Sequence, residues 1–154
     1  MDTPEYQKAE KTALNLIARA EQCSAGLSRK LEKRKHDTSV INKVIFNLTE
    51  KKLIDDSRYS RFWLQSRLRF TRSPRQLLSS LCAKGIDRDD AQSALKSVLD
   101  EETEYALLER FVKIYEKKSA KKKDNHGDVT RSLKFLLKNE GFSFQAVQKF
   151  FDCL

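Results

Sequence analysis

The chain has 154 residues, 31 of them Lys or Arg against 22 Asp or Glu, so its formal net charge is +9 and its surface attracts polyanions at long range. Four Gly and two Pro are too few to turn many short strands, while good helix formers abound, which predicts an all-α protein. No stretch approaches the roughly 18 apolar residues of a membrane span, and the polar start MDTPEYQKAEK lacks the apolar core of a secretion signal. Cys23, Cys82 and Cys153 are odd in number and far apart, which excludes a disulfide framework or a paired-cysteine zinc site and predicts residence in a reducing cytoplasm.

A first amphipathic helix is predicted over residues 5–22, with Ser24 capping a second that carries Leu27 and Leu31 four residues apart. A stop at Lys35 and a capping residue at Asp37 lead into a third helix with Ile41 and Ile45 inward. Leu53 and Ile54 close this unit. Asp55 or Asp56 caps the next helix, predicted over residues 57–71, and both acids face its positive dipole end. Steps of about 100° place Tyr59, Trp63, Ser66 and Phe70 on one face with Phe62 at its edge, a core stripe. Arg58, Arg61, Gln65, Arg69 and Arg72 fall on the neighbouring face, which points to solvent.

The pattern then recurs. Ser73-Pro74-Arg75-Gln76 is a capping box with proline at the first helical position, before Leu77 and Leu81. Gly85 stops that helix and Asp87 caps the next, which carries Ala91 and Leu95. A long helix over residues 101–118 follows, then Leu133 and Leu137, a stop at Gly141, a cap at Ser143, and Val147 with Phe151. The period is about 50 residues. It predicts three tandem three-helix repeats, at residues 1–56, 57–100 and 101–154, stacked into a short curved array because units this small cannot each bury an adequate core.

Charge is segregated along this array. Residues 57–86 hold Arg58, Arg61, Arg67, Arg69, Arg72, Arg75 and Lys84 and no acid, whereas residues 87–104 hold seven acids against Arg88 and Lys96. The basic run reads either as a solvated helix surface balanced between repeats or as a phosphate-facing patch. A second cluster, Lys117, Lys118, Lys121, Lys122 and Lys123, lies in a link at residues 117–128; it reads as a solubilising loop or as an arm reaching nucleic-acid backbone or an acidic protein face.

Catalytic signatures are missing. The run from Asp124 to Asp128 resembles the start of a calcium loop, but Val129 and Phe135 stand where glycine and glutamate are required. His36 and His126 stand apart from any cysteine or carboxylate constellation, and no P-loop, G-x-S-x-G elbow or glycine-rich nucleotide loop occurs. A non-enzymatic protein without cofactor or metal is expected. A helix-turn-helix reader with its second helix over residues 87–99 is disfavoured, because Asp87, Asp89 and Asp90 would lead that helix into a major groove.

The run LIDDSRYSRFWLQSRL, then SPRQLLSSLCAKGI, resembles the bacterial RecX regulatory proteins. The residues that carry the resemblance are Leu53, Asp55, Asp56, Arg58, Tyr59, Ser66, Arg67, Pro74, Leu81, Lys84, Gly85 and Ile86, and ALNLIARAEQCSAGLSRKLEKR is similar to the family's opening repeat. The chain departs from that pattern at Arg34-Lys35, where glycine is usual, and at Ser73, where glycine often precedes the proline. The resemblance implies a modulator, most simply an inhibitor, of the RecA recombinase. Such a protein binds the RecA filament on single-stranded DNA, lies in its groove, and reduces ATP turnover, filament growth and strand exchange. It would act as a monomer, without a membrane. Arg58, Arg61, Arg69, Arg72 and Arg75, with Lys117, Lys118, Lys121, Lys122 and Lys123, are the expected contacts. The alternative is a helical module that binds DNA backbone nonspecifically.

Overall fold

In the computed structural model, which describes residues 3–121 and 129–154, the chain is all-helical, with nine helices and no strand among the described residues. They are α1 (Pro4–Arg19), α2 (Ser24–Lys33), α3 (Thr38–Glu50), α4 (Asp56–Arg67), α5 (Pro74–Ala83), α6 (Arg88–Val98), α7 (Glu101–Lys121), α8 (Val129–Asn139) and α9 (Phe144–Asp152). They pack in threes. In each triad the third helix lies against the first and the second: α3 on α1 and α2, α6 on α4 and α5, α9 on α7 and α8.

Each triad has its own apolar cluster. Tyr6, Ala9, Ala13, Leu27, Leu31, Ile41, Val44, Leu48 and Ile54 form the first. Leu64, Leu77, Leu81, Ile86, Ala91 and Ala94 form the second, joined by Cys23 from the first triad. Leu107, Leu108, Val112, Leu133, Leu137, Phe142 and Ala146 form the third, against which Leu68 and Leu99 of the second triad pack. The clusters therefore continue into one another across the seams, as expected of units too small to stand alone.

The turn between the second and third helices of every triad has one design. The amide of Lys35 donates to the Glu32 carbonyl and that of His36 to Leu31; Gly85 donates to Cys82 and Ile86 to Leu81; Gly141 donates to Lys138 and Phe142 to Leu137. This is the Schellman pattern, which needs a left-handed residue after the helix end. Gly85 and Gly141 supply it at φ 92° and 90°, and Lys35 does so at 63°. Ile86 and Phe142, one residue on, turn inward and are buried.

Several local expectations shift. The first helix ends at Arg19, not at residue 22, because the backbone becomes extended at Ala20 (φ −162°) and Gln22 folds its amide onto the Leu16 and Ala20 carbonyls. Ser24 is the first residue of α2; Cys23 caps it, its sulfur accepting from Gly26 N at 3.4 Å. Helix α4 ends at Arg67 rather than residue 71. Helix α7 runs on to Lys121, so Lys117, Lys118 and Lys121 belong to a helix and not to the link; lysines in a last turn suit the negative dipole end. Lys122 and Lys123 lie outside the described residues.

The inward face of α4 also differs from the predicted stripe. Ser60 and Leu64 are fully buried, with Tyr59 and Trp63 half-buried beside them, whereas Ser66 is exposed and Phe62 and Phe70 are 64% and 46% exposed. The small Ser60, its hydroxyl returned to the Asp56 carbonyl at 2.7 Å, lets α4 lie close on α6. Phe70 misses the core because it lies beyond the helix end.

Candidate functional site

Two kinds of polar surface meet around α4 and α5. One is the set of seams between triads. At the first seam, Asp55 caps α4 through Arg58 N (3.1 Å), while the Asp56 carboxylate accepts from both the amide (2.7 Å) and the hydroxyl (2.6 Å) of Ser24. Arg58 donates from Nε and a terminal nitrogen to the two oxygens of Glu21, at 2.9 and 3.4 Å, and also reaches the Lys52 and Leu53 carbonyls. A forked guanidinium on a carboxylate fixes orientation as well as distance. Across the same seam the Cys23 thiol faces the Lys84 carbonyl at 3.8 Å. A Cβ on Gly85 would collide with that of Ala25.

The second seam repeats this docking. The amide of Arg75 donates to the Glu140 carbonyl at 2.9 Å, the Ser73 hydroxyl donates to the Glu140 carboxylate, and a Cβ on Gly141 would lie 3.2 Å from Arg75 N. Thus the turn of each later triad sits on the amino-terminal end of the second helix in the triad before it. Ser73 meanwhile completes the capping box with Gln76, and Pro74 is buried at the first helical position. Arg110 adds a bond to the Leu68 carbonyl at 3.0 Å.

Behind the first seam lies Trp63. The Arg67 guanidinium and the Lys84 ammonium each stand over its ring, 5.4 and 5.7 Å from the centroid. Burial pushes the Tyr59 hydroxyl above its ordinary pKa; the neighbouring Cys23 adds to the rise and Arg67 opposes it. Asp55, Asp56, Arg58, Tyr59, Arg67, Pro74, Lys84 and Gly85 therefore all serve helix ends, seams or the second core. Arg58, expected on an open stripe, is instead committed to Glu21.

The other surface is open. Arg61, Arg69, Arg72 and Arg75 are exposed, and among the described residues no carboxylate pairs with their guanidinium groups. Arg61 projects from α4; Arg69 and Arg72 lie in the connection between α4 and α5; Arg72 and Arg75 line one polar cleft with Gln76, Ser79, Ser80 and Glu140. Phe62 and Phe70 are exposed too, Phe62 beside Arg61 in sequence and Phe70 with the Arg69 guanidinium 4.9 Å from its ring centre. The sequence reading assigned both rings to the core face or its edge; the signal that corrects it is the spacing of Ser60 and Leu64. Lys117 and Lys118 are exposed at the far end of α7, a separate basic surface, and the side chain of Lys121 lies outside the described residues.

Among the described residues there is no group of three or more His, Cys, Asp or Glu able to hold a metal ion, and no helix long and apolar enough to cross a membrane. What the exposed surface can do chemically is hold oxyanions by charge and planar hydrogen bonds, the preferred use of arginine.

Residues 55–95 match the family model for the second three-helix domain of RecX. Regulatory protein RecX of Treponema pallidum (strain Nichols) is 34% identical over 106 residues, 68% of this chain and 65% of that protein, so the match spans just under two thirds of that relative. The same-named protein of Mycobacterium marinum is 31% identical over 138 residues, covering 89% of this chain and 79% of the relative. The crystal structure of RecX from Lactobacillus salivarius superposes with a TM-score of 0.71 over 96% of this chain and 95% of that one; at 22% identity this likeness speaks to the fold. On the extent of these matches, the chain belongs to the RecX family of regulatory proteins.

Proposed function

We propose that this chain regulates the RecA recombinase by binding its filament on single-stranded DNA and lowering ATP turnover, filament extension and strand exchange. The observation that carries the reading, beside family membership, is the open arginine surface: Arg61, Arg69, Arg72 and Arg75, exposed and without carboxylate partners among the described residues, on an array of linked helical triads. Such an array offers an extended face to an extended partner, and the arginines supply attraction to DNA phosphate or to acidic recombinase residues. Lys117 and Lys118, with Lys121, Lys122 and Lys123 beyond them in sequence, are a second candidate contact. The chain acts as a monomer in the cytoplasm, and Arg58 holds the protein's own seam rather than the partner.

The test is RecA ATP hydrolysis on single-stranded DNA, titrated with this protein well below the amount that coats the DNA. Inhibition at those levels is expected, and the charge-reversed variant Arg61→Glu/Arg69→Glu/Arg72→Glu should inhibit at least tenfold more weakly while melting like the parent. If turnover falls only once the DNA is coated, the protein is instead a nonspecific backbone binder, whose affinity would drop steeply with salt.

A further inference from the structure

The arginine surface contains something that phosphate attraction does not account for. Phe62 and Phe70 keep 64% and 46% of their area in water, at the cost of unfavourable apolar hydration. Phe62 is on the side of α4 away from Ser60 and Leu64, with Arg61 as its sequence neighbour, and Phe70 has Arg69 against its ring at 4.9 Å. No ring contact joins Phe62 to Phe70.

An interface for a folded protein groups its apolar residues into one desolvated centre. Here Phe70 has the Arg69 guanidinium against its ring and Phe62 follows Arg61 in sequence, in a run from residue 57 to residue 86 that holds no acid. Flat apolar faces alternating with cations complement a polymer whose flat bases alternate with phosphates. In a duplex the base faces are stacked on one another and closed to such rings; in a single strand they are open.

We propose that Phe62 and Phe70 are base-stacking positions and that Arg61, Arg69, Arg72 and Arg75 take the adjoining phosphates, so that this surface holds single-stranded nucleic acid directly and prefers it to duplex. The inference rests on the regulatory reading above, but it concerns contact with the strand itself and is tested without recombinase. Arg72 and Arg75 continue the track into their cleft, which Gln76, Ser79 and Ser80 line together with Glu140, whose carboxylate accepts from the Ser73 hydroxyl.

The experiment measures anisotropy of a labelled oligothymidylate, of an abasic oligonucleotide with the same number of phosphates, and of a duplex of equal length, each titrated with the full chain. The chain is expected to bind oligothymidylate roughly tenfold or more tightly than the abasic strand. Phe62→Ala/Phe70→Ala should erase that difference while leaving abasic binding and the melting temperature unchanged. Arg61→Ala/Arg72→Ala should weaken both single strands alike and flatten the salt dependence. Equal affinity for oligothymidylate and abasic strand, or for duplex, overturns the proposal. So does a Phe62→Ala/Phe70→Ala variant that keeps its oligothymidylate affinity; if that variant also fails to inhibit recombinase, the rings are a protein-docking site. Failure of the regulatory reading alone leaves stacking intact and ATP turnover unaffected, so the two failures are distinct.

Discussion

The turn after α2 and the turn after α5 are the same turn made under different constraints. Both close with the same pair of backbone hydrogen bonds and both need a left-handed residue, Lys35 in one and Gly85 in the other. Lys35 is exposed, and its conformation is costly only by the clash of its own Cβ with its own backbone. Gly85 must also lie against Ala25 of the preceding triad, and Gly141 in the third triad lies against Pro74 and Arg75. Conformation alone favours glycine; contact across a seam adds a steric cost to any side chain, hardest at Gly85. The residue after the turn follows the same division, His36 in the first triad against the buried Ile86 and Phe142.

The sharpest way to break this comparison is Gly85→Ala. Left-handed strain and collision with Ala25 together should lower unfolding free energy by about 3 kcal/mol, read from urea denaturation. The same change at Gly141, where neighbours stand 3.2 to 3.7 Å away, should cost about 2 kcal/mol. A cycle with Ala25→Gly sharpens the point: the double variant should recover on the order of 1 kcal/mol beyond additivity, whereas strict additivity would locate the whole cost in backbone strain. Ser73→Ala, which removes both the α5 cap and the bond to Glu140, should cost about 1 to 2 kcal/mol. Arg58→Ala should cost about 1 kcal/mol, since the pair with Glu21 is partly exposed. Smallest and opposite in sign, Lys35→Gly should be neutral or stabilising by up to about 1 kcal/mol; a loss comparable to that of Gly85→Ala would mean the two turns do not differ as described.

Helix order, the capping box at Ser73, the caps at Asp87 and Ser143 and the stops at Lys35, Gly85 and Gly141 were legible in the sequence because each is decided within about five residues. The inward positions Leu27, Leu31, Leu77, Leu81, Leu133 and Leu137 were legible for the same reason. The face of α4 was not, because its aromatics are chemically suited to a core, and only its packing on α6 decides that Ser60 and Leu64 point inward. Nor were the seam partners: Arg58 meets Glu21 across 37 residues, and Ser73 meets Glu140 across 67. That is why an arginine read as open is engaged, while the two phenylalanines read as core or edge are in water.

Trp63 is the chain's single tryptophan, and its ring has Arg67 and Lys84 above its π surface while Phe62, its neighbour in sequence, faces solvent. Indole emission responds to nearby charge, so the protein carries its own optical reporter at the meeting point of the first seam and the arginine surface. Loosening the seam moves Lys84 and with it the emission, so that event is visible without a label.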